Sequence, residues 1–107
     1  MQDSGKDLSR LMLQVDKRIR EINRETLNPE IPELKLTDLE PVFELIARTR
    51  AAYLKELLAV TKVVDQGLPN PEQLRQLASF RLMYEELREG AAALDIALER
   101  EYLDIQV

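Results

Sequence analysis

Two long segments of the chain carry seam residues at alternating steps of three and four positions, and a break at Gly67-Leu68-Pro69-Asn70-Pro71 separates them. In an α-helix, this spacing aligns the residues along one stripe, the heptad seam of a coiled coil. The first seam comprises Leu39, Phe43, Ile46, Arg50, Tyr53, Leu57, Val60 and Val64. The second comprises Leu77, Phe80, Tyr84, Leu87, Ala91, Leu94 and Leu98. The pattern predicts two long helices that pack along these seams.

The break is short, so the two helices must run antiparallel. In an antiparallel pair, the residue numbers of two facing positions add up to the same total along the whole seam. The two seams meet this condition from Val60 opposite Leu77 to Leu39 opposite Leu98. We therefore expect an all-α fold built around a long antiparallel helical hairpin.

The residues at the break predict where the helices end. Asn70 is a favoured N-cap, and Pro71 suits the first helical position. Gly67 is expected to end the preceding helix in a left-handed conformation. Asp38, or alternatively Thr37, is expected to cap its start. The expected organisation is a single helical domain over 1–107, with helix 1 at 4–24, a linker at 25–37, helix 2 at 38–66, a turn at 67–70 and helix 3 at 71–103.

A shorter N-terminal helix is predicted from an apolar stripe with the same steps, formed by Leu8, Met12, Val15, Ile19 and Ile22. We expect this helix to cover one face of the hairpin. The linker that follows contains Pro29 and Pro32 and is unusually apolar. Extending the hairpin register places Pro32 beside Ile105, so the linker is expected to pack against the end of helix 3. The alternative is that it binds a partner.

The hairpin has more apolar surface than its own seam and one short helix can bury. Such surface typically marks an interface. The predicted interaction residues are Leu82, Met83, Gly90, Ala93, Ile96 and Ala97 on helix 3 and Leu45, Ala52, Leu54 and Leu58 on helix 2. We expect a homodimer that forms a helical bundle, or association with another protein. A three-helix monomer is the alternative.

A polar layer interrupts the seam at Arg50, Tyr53 and Tyr84. Three interpretations are open. The layer binds an anion or another ligand, or the arginine stem packs along the seam while the tyrosines pair. In the third interpretation, the polar layer selects the register or the oligomeric state.

Composition excludes several classes of chemistry. The chain has no Cys and no His, which removes thiolate catalysis, imidazole metal sites and serine–histidine triads. Hydrophobic residues make up 45% and charged residues 33%, which disfavours both disorder and membrane insertion. The start of the sequence, residues 1–7, lacks the apolar core of a signal peptide. We therefore expect a cytoplasmic protein with no membrane partner and no cofactor.

Two other functions remain as alternatives. Carboxylates of helix 3 could hold Mg²⁺, as in all-α nucleotide pyrophosphatases, which would require Glu86, Glu89 and Asp95 or Glu99 to converge with residues of a partner chain. Helix 1 is locally basic and could bind nucleic acid through Arg10, Lys17 and Arg24, but acidic residues interleave and the net charge is −5. The favoured function is a non-catalytic protein–protein interaction module: an adaptor, assembly factor or small chaperone-like protein. No catalytic, cofactor-binding or metal-binding residue is assigned.

Overall fold

A computed structural model describes residues 4–107, so residues 1–3 of the polar N-terminal segment lie outside the description. The described chain contains α1 (Ser4–Leu27), α2 (Leu36–Val64) and α3 (Pro71–Glu99). α2 and α3 pack against each other. The predicted all-α fold with a helical hairpin is confirmed, whereas dimerisation stays a prediction.

The start of α3 follows the sequence prediction closely. The backbone N–H of Gln73 donates to Asn70 Oδ1 at 2.8 Å, and the backbone N–H of Asn70 donates to Gln73 Oε1 at 2.8 Å. This reciprocal arrangement is a capping box, which satisfies N–H groups that lack an intrahelical partner. Pro71 occupies the first helical position, where its missing N–H costs no hydrogen bond.

The end of α2 differs from the prediction. The left-handed residue is Asp65, with φ of 53°, and no glycine has positive φ. The short polar side chain of Asp tolerates this conformation better than most residues. Gly67 has a different role: its N–H donates to Val64 O at 2.8 Å, and a Cβ built on it would lie 3.2 Å from that oxygen. A side chain at this position would crowd the Val64 carbonyl, which favours glycine here.

α3 ends at Glu99, four residues before the expected position. Glu101 is left-handed, with φ of 62°. Its N–H donates to Leu98 O at 3.1 Å, and the N–H of Tyr102 donates to Ala97 O at 2.9 Å. These two bonds form a Schellman motif. The heptad pattern continues past this point in sequence, so it could not reveal the turn.

The other boundaries shift by two or three residues. α1 continues to Leu27, beyond the expected residue 24, and α2 covers Leu36–Val64 where 38–66 was expected. The connection between them is correspondingly short, at residues 28–35. Helix ends depend on local capping bonds, which apolar spacing does not report.

The chain divides into two compact units, which we call the terminal unit and the hairpin unit. The terminal unit comprises residues up to Lys35 together with Leu94–Val107, and the hairpin unit comprises Leu36–Ala93.

The core of the terminal unit surrounds the Schellman turn. Ala97, Tyr102 and Leu103 are buried there, and the half-buried residues around them are Leu27, Ile31, Leu34, Leu94 and Leu98. The N–H of Leu34 donates to Asp104 O at 2.9 Å, and the N–H of Gln106 donates to Leu34 O at 2.7 Å. The linker therefore packs against the segment after α3, as predicted, with Leu34 rather than Pro32 beside Ile105.

The α3 seam is as predicted, whereas the α2 seam keeps five of its eight predicted residues and differs at the other three. The α2 residues that are buried or half-buried at seam spacing are Leu39, Val42, Ile46, Thr49, Tyr53, Glu56 and Val60. The predicted seam residues Phe43, Arg50 and Leu57 are exposed. Adjacent positions such as 42 and 43 are separated by about 100° around a helix. A modest rotation of α2 about its axis therefore decides which of the two is covered.

Candidate interaction surfaces

The interaction residues predicted on α2 are exposed at three of four positions: Leu45, Leu54 and Leu58, whereas Ala52 is half-buried. Leu54 also belongs to an exposed row that we call the α2 stripe, formed by Phe43, Ala47, Arg50, Leu54 and Leu57. Steps of four and three place these residues on one face of the helix. α2 therefore presents an apolar face with one charge, in addition to the face that packs against α3.

On α3, five of the six predicted interaction residues are exposed: Leu82, Met83, Gly90, Ala93 and Ile96. A Cβ added at Gly90 would meet nothing within 4 Å, so the backbone there is open to close approach by another helix. The sixth residue, Ala97, is only 6% exposed. Its assignment to a partner surface is wrong, because it packs beside Tyr102 in the core of the terminal unit.

The structure brings the three residues of the polar layer together. Arg50 Nε donates to the Tyr84 hydroxyl at 3.0 Å, and the rings of Tyr53 and Tyr84 lie with their centroids 6.3 Å apart. The Arg50 guanidinium carbon is 5.2 Å from the Tyr84 ring centroid, and that of Arg88 is 5.5 Å from the same centroid. These distances suit cation–π attraction.

The paired tyrosine rings agree with the second interpretation. Arg50 is an exposed residue that donates to Tyr84 from beside the seam. Ligand binding by the layer, and control of oligomeric state by it, stay predictions.

The carboxylates of the alternative enzyme function do not converge within one chain. Among residues 4–107, no three or more acidic residues are grouped so that they could hold a metal ion. Arg81 and Glu85 instead form an i,i+4 pair at 3.9 Å on an exposed part of α3. The magnesium site of this alternative would need residues of a partner chain, so the alternative stays a prediction.

The basic residues of α1 are largely paired with acidic neighbours. Lys17 lies 3.9 Å from Glu21, and Arg18 donates to the same carboxylate at 3.1 Å. Arg20 lies 3.4 Å from Asp16. Pairing of this kind weakens the electric field that would attract phosphates. It favours a solvated helix face over a nucleic-acid site on α1.

The apolar face of α1 is a third candidate surface. None of the residues of α1 is buried. The predicted stripe of Leu8, Met12, Val15, Ile19 and Ile22, which we call the α1 stripe, has exposed fractions between 38 and 59%. Sequence reasoning identified the stripe but expected packing within the chain to cover it.

A side-chain clasp in the terminal unit was not anticipated. Arg24 forms an ion pair with Asp104, and its other terminal nitrogen donates to Glu101 O at 2.8 Å. The hydrogen bond from Arg24 is the main cause that lowers the pKa of Asp104, with smaller help from the Arg24 charge and Asn28, while partial desolvation opposes it. No spacing signal links residues so far apart in sequence.

Within residues 4–107, no helix combines the length and the apolar content needed to cross a bilayer. No protein-family model, no curated protein and no solved structure matches this chain.

Proposed function

We propose that this chain is a non-catalytic helical interaction module, of the adaptor, assembly-factor or small chaperone-like kind, that associates through the apolar faces of α2 and α3. The partner is a second copy of the chain, another protein, or both. The absence of Cys and His supports the non-catalytic assignment, since it removes the thiolate nucleophile and the imidazole that most often transfers protons.

The observation that carries the proposal is the near absence of buried residues in long helices. α2 and α3 each span 29 residues, yet each has a single buried residue, Val60 and Ala97 respectively. Amphipathic helices of soluble proteins normally bury an apolar stripe. Exposed apolar rows such as the α2 stripe are typical of surfaces that another molecule covers.

The decisive variant is Leu54→Glu, in the middle of the α2 stripe. Its matched control is Lys55→Glu, which introduces the same side chain at the neighbouring exposed position, about 100° away around the helix. Both positions are exposed, so neither variant should impair folding of the subunit.

Two measurements test the proposal. Sedimentation velocity of the wild type, over about 1 to 100 µM, should show a species heavier than the monomer, or capture from host cells should retain a specific protein. Leu54→Glu should weaken that association by at least about tenfold, whereas Lys55→Glu should leave it nearly unchanged. A wild type that stays monomeric and captures the same proteins as Leu54→Glu would refute the proposal.

A further inference from the structure

The α1 stripe is an exposed face of five apolar side chains with no charged residue among them. We propose that it pairs with the α1 stripe of a second copy of this chain, in an antiparallel arrangement. This α1 pairing rests on the proposed function in one respect, namely that the chain associates. The pairing itself uses α1, which lies outside the hairpin unit.

The spacing of the α1 stripe favours another helix as its occupant. From Leu8 to Ile22 the steps are four, three, four and three, a period of 3.5 residues that keeps the stripe facing one partner helix. A wider, continuous apolar face would suit a flat surface. The positions beside the α1 stripe at Ser9, Asp16 and Asn23 are polar, so the apolar face is narrow on this side, as a partner helix requires.

The charges of α1 favour a second copy over a strongly charged partner. Asp16 lies 3.4 Å from Arg20 and 3.5 Å from Arg100, and Glu21 pairs with Lys17 and Arg18. Because these charges already have partners within the chain, the stripe has little electrostatic selectivity for a different protein. An apolar stripe of this kind is complementary to itself under two-fold symmetry.

The flanking residues select one register. With Leu8 opposite Ile19 of the second copy and Met12 opposite Val15, Asp16 lies near Ser9 and no like charges meet across the seam.

The two other arrangements are less favourable. Shifting the antiparallel pair so that Val15 faces Ile19 brings Asp16 near Asp16 and Arg18 near Arg18 of the second copy, which is repulsive. A parallel pair places the exposed Leu11 beside Asp16, where an apolar side chain would desolvate a carboxylate.

The area available is close to the minimum for a specific interface. Including Leu11, six partly exposed apolar side chains line this face. Because each is only about half exposed, it contributes roughly 80 Å², and two copies bury roughly 1,000 Å², the size that a specific interface needs. The α1 stripe alone is therefore at the threshold, and flanking stems such as that of Arg18 would add to the buried area.

Because the chain lacks cysteine, engineered cysteines report the register directly. Leu8→Cys and Ile19→Cys chains are purified separately, mixed, allowed to exchange and oxidised. A disulfide forms only where the Cα atoms approach within about 7 Å. We expect the mixture to give a disulfide-linked dimer joining position 8 to position 19, identified by mass spectrometry, and each variant alone to give at least about tenfold less dimer.

The matched control is Leu13→Cys mixed with Ile19→Cys, because Leu13 is 71% exposed on α1 but lies off the stripe. This mixture should give no specific cross-link. Met12→Glu, in the centre of the stripe, should weaken self-association by at least about tenfold, whereas Leu13→Glu should not.

The outcomes separate this proposal from the proposed function. Efficient cross-linking of Leu8→Cys with itself would overturn the antiparallel arrangement. An absence of any cross-link, in a wild type whose association is still broken by Leu54→Glu, would overturn pairing through α1 and leave the hairpin interface standing. Sensitivity to Met12→Glu without sensitivity to Leu54→Glu would support α1 pairing and refute association through the α2 stripe.

Discussion

Glu101 holds a left-handed backbone conformation at the end of α3, with φ of 62°, although it has a Cβ. For L-residues other than Gly, Asn and Asp, this conformation costs roughly 1–2 kcal/mol. The surrounding bonds maintain it: Tyr102 N–H bonds to Ala97 O, and Arg24 donates to the Glu101 carbonyl. A single strained residue thus positions the buried Tyr102 and Leu103.

Glu101→Gly should stabilise the chain by about 1 kcal/mol, because glycine adopts positive φ without the Cβ penalty. The carbonyl that Arg24 contacts is retained. Urea unfolding followed by circular dichroism measures the change. The matched control, Glu99→Gly in the last turn of α3, should destabilise by roughly 0.5–1 kcal/mol. Equal effects of the two variants would contradict a left-handed Glu101.

The Arg24–Asp104 ion pair makes stability dependent on pH in a defined direction. Its hydrogen bond lowers the pKa of Asp104 in the folded chain. A lowered folded-state pKa stabilises the fold above the unfolded value of about 4, and this stabilisation disappears as pH falls through the folded value. The clasp should therefore be effective at neutral pH and lost in acid.

Asp104→Asn should accordingly lower the thermal midpoint at pH 7, and the difference from the wild type should shrink toward pH 2. Calorimetry or circular dichroism melts at both pH values test this expectation. Arg24→Gln should produce a similar loss at pH 7, and the double variant should lose less than the sum of the two because the residues share one interaction. A difference between Asp104→Asn and wild type that is unchanged by pH would argue against the ion pair.

At the scale of elements, α3 begins with a complete capping box. The reciprocal bonds between Asn70 and Gln73 satisfy backbone donors, and Pro71 is already in a helical conformation. In α2 the predicted seam residues Phe43, Arg50 and Leu57 are replaced in the seam by the residues just before them, and the α2 stripe is exposed. The α2–α3 pairing therefore leaves apolar residues on both sides of its seam.

Asn70→Ala should destabilise the hairpin by about 1 kcal/mol, through loss of the N-cap acceptor. Asn70→Ser, which keeps a side-chain acceptor, should lose only a fraction of this. Chemical denaturation of the three proteins, with the helical signal as readout, gives the comparison. Equal stability of Asn70→Ala and wild type would mean that the capping box contributes nothing to folding.

At the scale of the whole molecule, the interior is small. Val60, Ala97, Tyr102 and Leu103 form the buried apolar set among the described residues. Cores this limited seldom stabilise a chain of this length alone. Association through exposed apolar faces would add the missing burial.

If association contributes to stability, the thermal midpoint should rise with protein concentration. Anything that binds only the folded chain stabilises it by mass action, and a ligand at about 100 times its dissociation constant contributes about 2.7 kcal/mol. Melts of the wild type over a hundredfold range of concentration should therefore shift upward, and the shift should vanish in a Met12→Glu, Leu54→Glu double variant. A midpoint independent of concentration would indicate a stable monomer.

Structural features that depend on neighbouring residues could be predicted from the sequence alone. The heptad steps predicted the helices, the short break predicted the hairpin, and Asn70 with Pro71 predicted the start of α3, because each signal lies within one or two helical turns. The tyrosine pair was also predicted, since antiparallel register follows from the turn. Most of the α2 and α3 residues predicted to form interaction surfaces are exposed, and their association with a partner stays a prediction.

Tertiary structure decided what depends on residues distant in sequence. The rotation of α2 selects between adjacent positions that fit the heptad almost equally well, such as Val42 and Phe43. Burial of Ala97 and the left-handed Glu101 follow from the Schellman turn and the Arg24 clasp. A covered apolar stripe and an exposed one have the same local periodicity. What distinguishes them is the packing energy of contacts between segments that are distant in sequence.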